Sequence, residues 1–367
     1  LCFFVLISDL SYSGLTAIVV AYEKILHFDL STTGWVSTVE GAGYTMGALF
    51  AALWSRPITR RQIGGVFVLM GVAQFLSLVT TNAWGFAAIR CLSGIGAGLA
   101  YAAGVYTISR SKNSERGFAV YFGANFASGL LALVTIPPII GLAGLRGFYV
   151  CYGTALLACI ILVRWFPLLE FRRTETVQHS PASRVAPVRR GTWPLVFALF
   201  VNFIFNGGVW VLAEHFGLEI AGTSMESLSP LLAGTMLFGL LGTLFSTLVS
   251  QRFNHLTLIN LGNAGLVAAV VILASWHSVA GLIAAMALLN VSVTCLTPSG
   301  LAALARKGAR GAQWGNLACQ SGYTTGPAVV AGIGAQLGLN GLVWISALAF
   351  ILSGALAWVG LRSKDLN

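Results

Sequence analysis

Charged residues in this 367-residue chain are confined to short gaps between long uncharged stretches, and that spacing constrains the fold more than any other feature. From Leu1 to about Leu361, roughly twelve segments of about 18 to 27 mostly uncharged residues follow one another. Each is long enough to cross a bilayer as a helix. The composition agrees: with 57% hydrophobic and 9% charged residues and a mean hydropathy of +0.83, a water-soluble fold would have too few charges to cover its surface. The sequence therefore predicts an all-α, polytopic integral membrane protein.

Basic residues are retained on the cytoplasmic side during insertion, so their positions set the orientation. They fall in every second gap: Arg56, Arg60 and Arg61; Arg110, Lys112 and Arg116; Arg172 to Arg190; Arg252; Arg306, Lys307 and Arg310; Arg362 and Lys364. The alternate gaps hold only Lys24 and Arg146 as bases, with the acids Glu23, Asp29, Glu219 and Glu226. With roughly 18 of the 21 basic residues on one side, both termini are expected in the cytoplasm, and the number of spans is expected to be even. The net charge of +10 is then a topology signal that also favours contact with anionic membrane lipid; nucleic-acid binding is not expected. No cleavable signal peptide is visible, and because the chain opens inside an apolar run, a short preceding tail is expected. Cys2, Cys91, Cys151, Cys159, Cys295 and Cys319 lie in apolar runs without metal-ligand spacing and read as reduced packing residues.

The expected spans are about 1–23, 33–55, 63–81, 84–109, 117–143 and 147–166, then 193–215, 228–250, 256–275, 278–304, 312–337 and 341–361. The longest hydrophilic stretch, 167–192, is rich in proline and basic residues and reads as a cytoplasmic linker between two six-helix bundles, 1–166 and 193–367. The halves share local features. Arg116-Gly117 and Ser128-Gly129 recur as Arg310-Gly311 and Ser321-Gly322, with Pro137 and Pro138 matched by Pro327, and Ser55-Arg56 by Gln251-Arg252. A shared interval of roughly 195 residues marks an internal duplication, a recurring architecture of transporters.

This six-plus-six arrangement with a basic central loop resembles the major facilitator superfamily, whose parallel halves enclose a central cavity. Arg90-Cys-Leu-Ser-Gly94-Ile-Gly96-Ala-Gly98 is similar to that superfamily's fourth-helix motif. The loop after span two departs from the family pattern G-x-x-x-D-R-x-G-R-R: Ala51-Ala-Leu-Trp-Ser55-Arg56-Pro57-Ile58-Thr59-Arg60-Arg61 keeps the bases but lacks the acid and both glycines. The resemblance implies a gate built around Arg56, Arg60 and Arg61, formed differently from that of relatives. It also implies a link to proton transfer for Arg90.

Ionisable groups inside a bilayer need a partner, a wet cavity or a proton. In the first half these are Asp9, Glu40 and Arg90. Taking about 1.5 Å per residue, Glu40 and Arg90 reach the same depth. One reading is a charge relay in which Arg90 pairs with a carboxylate and the other acid carries a proton; the alternative is a permanent ion pair that fixes helix packing. Gly94 and Gly98, with Gly96, Gly239 and Gly242, are candidates for close-packed sliding surfaces.

Asp9, Tyr12 and Ser13 share one side of span one. Asn202, Asn206 and Trp210 recur on span seven, Asn290 and Thr294 on span ten, and Asn316, Gln320 and Tyr323 on span eleven. Together with Asn125 on span five, these amides and aromatics suit an organic substrate, or else hydrogen bonds between packed helices. Glu214 and His215 read as a solvated helix end.

No H-E-x-x-H helix, P-loop or paired nucleophile motif is present, so neither an enzyme nor an ATP-driven pump is expected, and no cofactor or metal site. The expectation is a monomeric secondary transporter in a bacterial inner membrane, moving a small organic solute by alternating access with proton coupling. The stretch Thr135-Ile-Pro137-Pro138-Ile-Ile-Gly141 departs from the G-P-x-x-G-G element of the superfamily's proton-driven exporters, which favours uptake over efflux. An uncoupled facilitator and a non-transporting receptor are the alternatives.

Overall fold

The protein is described by a computed structural model covering residues 2–14, 18, 21–22, 25–28, 30–53, 59–80, 82–111, 113–165, 191–211, 213, 225–249 and 252–362. All of its regular structure is helical. Helices α1 (Cys2–Ser8) and α2 (Leu10–Ser13) open the chain, followed by α3 (Leu30–Leu53), α4 (Arg60–Leu76), α5 (Ala83–Ser109) and α6 (Ser114–Leu162). The second half contains α7 (Thr192–Val211), α8 (Met225–Val249), α9 (His255–Ser275), α10 (Val279–Arg306) and α11 (Ala309–Arg362). The linker expected at 167–192 falls, but for its last two residues, outside the described residues, as do Glu214 and His215.

Two of these helices are each a pair. α6 breaks at Gly144 (φ 66°, ψ −178°) and α11 at Gly338 (φ 66°, ψ −177°), a backbone region open essentially to glycine alone. Both breaks fall in expected gaps between spans, and they are separated by the same interval of roughly 195 residues as the sequence repeats. With these helices divided, helical segments fall at each of the twelve expected spans, among the described residues. Seven described helices meet the length and hydropathy of a membrane crossing. Tryptophans at helix ends (Trp84, Trp165, Trp193 and Trp276) are half exposed or more, as expected for side chains at the membrane–water interface. The chain is an integral, multi-pass membrane protein.

Close helix contacts set the positions of the functional side chains. Gly43 and Gly47 on α3 face the Cys91 and Ile95 carbonyls of α5, while Gly94 and Gly98 on α5 face the Glu40 and Tyr44 carbonyls of α3. A Cβ at any of the four would overlap backbone, so the two helices pack main chain to main chain. The same device joins α7 to α11, where Gly322 and Gly326 lie against the Phe200 and Ile204 carbonyls. The halves meet along two seams. On one, Thr45 of α3 and Thr324 of α11 hydrogen-bond at 3.1 Å, and the Thr324 hydroxyl donates to the Gly41 carbonyl at 3.2 Å. On the other, Gly123 and Gly129 of α6 pack on Thr243 and Met236 of α8, and Gly239 on Phe126.

Candidate functional site

The α3–α5 contact carries a buried ion pair. Arg90, with no exposed surface, donates from Nη2 to Glu40 Oε1 in a short bond and from Nε to Glu40 Oε2 at 3.1 Å. Two further donors are used as well: Nη1 to Gln74 Oε1 at 2.8 Å and Nη2 to Ser11 Oγ at 2.6 Å. Gln74 in turn donates to Ser93 Oγ at 2.8 Å, and Ser11 donates to Glu40 Oε1 at 3.3 Å. The guanidinium lies 5.5 Å from the ring centroid of Tyr149, whose hydroxyl meets that of Tyr22 at 3.0 Å. A bidentate pair with its other polar atoms satisfied is the arrangement in which a buried charge is tolerated.

Asp9 is placed differently. The α1–α2 run is irregular at Asp9, although its backbone bonds continue through Asp9 N–H to Val5 and Ser13 N–H to Asp9. Side chains from α6 supply donors to the carbonyls just before it: Ser128 to Leu6 at 2.7 Å, and Tyr152 to Ile7 at 3.0 Å and to Ser8 at 3.3 Å. Inserted donors of this kind distort a helix locally. The carboxylate accepts from Ser13 Oγ at 2.5 Å, Asn125 Nδ2 at 3.0 Å and the Tyr44 hydroxyl at 3.2 Å. Among the described residues Asp9 has no ion pair.

Asp9 lines a cavity of about 120 Å³ between the two halves. At the roughly 10–15 Å³ that one buried water requires, it has room for several waters or a small solute. The first half contributes Asp9, Tyr12, Ser13, Tyr44, Tyr101, Phe122, Asn125, Phe126 and Gly129; the second contributes Phe203, Asn206, Trp210, Met236, Leu289, Asn290, Val293, Gln320 and Tyr323. The rings form a bridge across the cavity, with Tyr12 centred 4.9 Å from Tyr44 and 5.9 Å from Tyr323. The first-half polar groups are largely committed to Asp9. By contrast, Asn206 is 5% exposed and its Oδ1 has no hydrogen-bond partner. A buried, unpartnered amide facing a cavity is what a ligand completes.

Of the residues expected from sequence, Asp9, Tyr12, Asn125, Asn206, Trp210, Asn290, Gln320 and Tyr323 meet at this cavity. Asn290 is partly engaged, donating to the Thr235 carbonyl at 3.0 Å. Two expected substrate residues are placed elsewhere. Asn202 faces away and donates to Asn263 Oδ1 at 3.1 Å, and Asn316, 1% exposed, is not among the lining residues. The reason is geometric: Asn202 shares a stripe with Asn206 but lies a turn away along α7, where it meets Asn263 of α9. Glu40 and Arg90 lie behind the cavity wall. Arg60 and Arg61 are exposed in the first turn of α4, whose cap is the reciprocal Thr59–Gln62 pair; Arg56 lies outside the described residues. Sequence reasoning passed over Gln74, an amide inside an apolar span that the cost of buried polar groups alone would have flagged. It also passed over Tyr44 and Tyr101, which resemble ordinary core aromatics.

A helical membrane bundle of two like halves around a central polar cavity defines a transporter. The chain belongs to the Major Facilitator Superfamily, whose profile matches residues 1–315. Among solved structures it is similar to the Escherichia coli fucose:proton symporter FucP in its outward conformation, at 16% identity over 98% of both chains with a TM-score of 0.73. It is also similar to the proton:xylose symporter XylE, at 13% identity over 99% of this chain and 96% of that one (TM-score 0.76), and to the human organic anion transporter MFSD10, at 13% over 97% of each (TM-score 0.75). Sequence comparison with curated proteins finds no match. The family and these structures are transporters, so the chain is a transporter and not an enzyme.

Proposed function

We propose that the protein couples proton movement to the uptake of a small, uncharged polar organic solute, with Asp9 as the proton carrier. The observation that carries this reading is a buried carboxylate on the wall of the central cavity, held by three hydrogen bonds and no ion pair among the described residues. An unpaired charge inside a membrane protein is costly, and a bound proton removes that cost. Protonation of Asp9 therefore changes both the charge of the cavity and the bonds to Tyr44 and Asn125, two residues that face the substrate space. Solute binding and proton binding then act on the same side chains.

The second half supplies the substrate face. Asn206, Gln320, Trp210 and Tyr323 offer amide hydrogen bonds and ring surfaces, a combination suited to a polar organic molecule. None of the described lining residues is Lys, Arg or His, so an anion would find no counter-charge among them. Glu40 and Arg90 act behind the wall, fixing α3 against α5 and so the placement of Tyr44. The names of two structural relatives, fucose:proton and proton:xylose symporters, support a neutral solute moved with protons. The departure from the exporter element at Pro137 and Pro138 supports uptake. The basic loops face the cytoplasm, and one chain in a bacterial inner membrane encloses the whole pathway.

A second reading rests on Asp9 being the one carboxylate among the lining residues, ringed by aromatics: an organic cation exchanged for protons. The test is transport in proteoliposomes loaded with a pH-sensitive dye and challenged with neutral polyols, amino acids and amphiphilic cations. The proposal expects internal acidification with a neutral compound and none in Asp9→Asn. Alkalinisation driven by cations would establish the second reading, and tracer exchange without any pH change would leave an uncoupled facilitator.

A further inference from the structure

A second cavity, of about 260 Å³, opens on the outer surface of the bundle between α3, α4 and α5. Phe50, Ile63, Val66, Leu69, Leu99 and Ala100 give it an almost wholly apolar lining. On the α4 side it is lined by Gly65, where no atom lies within 4 Å of the position a Cβ would take. From Ile63 to Leu69 it follows about 9 Å of helix, starting in the first turn of α4. One end therefore lies at the basic-loop surface and the other at acyl-chain depth.

The charged end is built from two helices. Arg61 stands one turn before Gly65 on the same side of α4, since residues four apart share a helix face, and it is exposed. On α5 the stripe that contributes Leu99 and Ala103 to the cavity continues at the same spacing through Tyr106 to Arg110. There the exposed Arg110 guanidinium lies over the Tyr106 ring, 4.6 Å from its centroid. The surface thus combines an apolar trough at chain depth with cationic groups at its headgroup end.

We propose that this groove binds one anionic glycerophospholipid, with an acyl chain in the trough and the phosphate near Arg61 and Arg110. A neutral lipid would match the trough but not its mouth. Arginine suits the phosphate because its planar fork can donate two parallel hydrogen bonds. The trough borders both helices that hold the Glu40–Arg90 pair, so occupancy would bear on the α3–α5 contact that positions the cavity wall.

Native mass spectrometry of the purified full chain in detergent, with palmitoyl-oleoyl phosphatidylglycerol or phosphatidylcholine added at equal concentration, tests this directly. The expected result is retention of phosphatidylglycerol about thirtyfold above phosphatidylcholine, the scale set by two basic side chains near an anionic surface. That preference should disappear in R61Q/R110Q. In G65L, which fills the trough and leaves the arginines in place, retention of both lipids should fall. Equal retention of the two lipids by the unmodified protein, or an unchanged preference in R61Q/R110Q, would overturn the proposal. So would a homodimer that excludes lipid from this face.

Discussion

Arg90 and Asp9 lie close together in one helix bundle, Asp9 on the cavity wall and Arg90 behind it, and solve the problem of buried charge in opposite ways. Arg90 has every side-chain nitrogen engaged, by Glu40, Gln74 and Ser11, whereas Asp9 has neutral donors and an open cavity. On the proposed function the first arrangement is structural and the second is chargeable, and stability measurements can separate them. Arg90→Ala leaves Glu40 charged and alone, which is expected to cost about 3–5 kcal/mol, while the matched Glu40→Leu/Arg90→Met variant is expected to recover most of that loss. Melting of the purified variants in detergent measures both; a double variant as unstable as Arg90→Ala would show that the pair does more than fill and neutralise its site. Asp9→Asn is expected to leave melting within about 1 kcal/mol, since the amide keeps a polar partner for each neighbour. It should abolish concentrative uptake while tracer exchange persists, as compared in vesicles with and without a pH gradient. These residues were legible in the sequence because an ionisable side chain in an apolar run must be accounted for. Asn202 was misplaced because helical spacing identifies a face but not the helix that covers it.

The elements carry a different kind of information. Hydropathy alone anticipated where the described helices lie, and the turn between the members of each fused pair was visible as a short gap. What was not legible was how that turn is made: a glycine at φ 66° with ψ near 180° within an otherwise continuous helix, at Gly144 and again at Gly338. No atom stands within 4 Å of a Cβ at either position, so substitution there tests backbone conformation free of packing. Gly144→Ala and Gly338→Ala are each expected to destabilise by about 1–3 kcal/mol, whereas alanine at Gly64, equally open but with ordinary helical geometry, is expected to be neutral or slightly stabilising. Thermal melting of the three variants decides the point. Equal effects would mean that the breaks are not the strained positions. The glycines of the α3–α5 seam act by the opposite mechanism. At Gly94 and Gly98 the obstacle is the Glu40 and Tyr44 carbonyls themselves, so even alanine must push the helices apart and with them the Glu40–Arg90 pair. The sequence identified these glycines as packing positions; the backbone they touch could be seen only in three dimensions.

At the scale of the whole molecule, the two sides of the central cavity differ in chemistry. The buried ion pair and the cavity carboxylate belong to the first half, and the unpartnered amide Asn206 belongs to the second. A transporter of this form must open its cavity alternately to each side, largely by rocking one half against the other. Any bond that crosses between the halves at one end therefore biases the equilibrium against opening there. Such a bond exists at the basic-loop end. Glu115, in the first turn of α6, accepts from Ser299 Oγ of α10 at 3.5 Å, and its Oε1 lies 3.4 Å from His255 Nδ1 at the start of α9. Both the Glu115 and His255 side chains are mostly buried, at 14% and 11% exposure, and neither His255 ring nitrogen makes a hydrogen bond among the described residues, so the link rests on the Ser299 bond and on charge proximity little screened by solvent. Glu115→Gln weakens it without creating a void, and a loss of about 1 kcal/mol, the upper range for exposed pairs, corresponds to about a fivefold shift in population. The expected outcome is a rise of that size in the labelling rate of a cysteine placed at the cavity residue Val293, with a membrane-impermeant maleimide applied from the basic-loop side of oriented vesicles. Labelling from the opposite side should fall at the same time, because a two-state equilibrium gains on one face only what it loses on the other. If labelling rises from both sides, Glu115 holds the bundle together as a whole and the rocking argument fails.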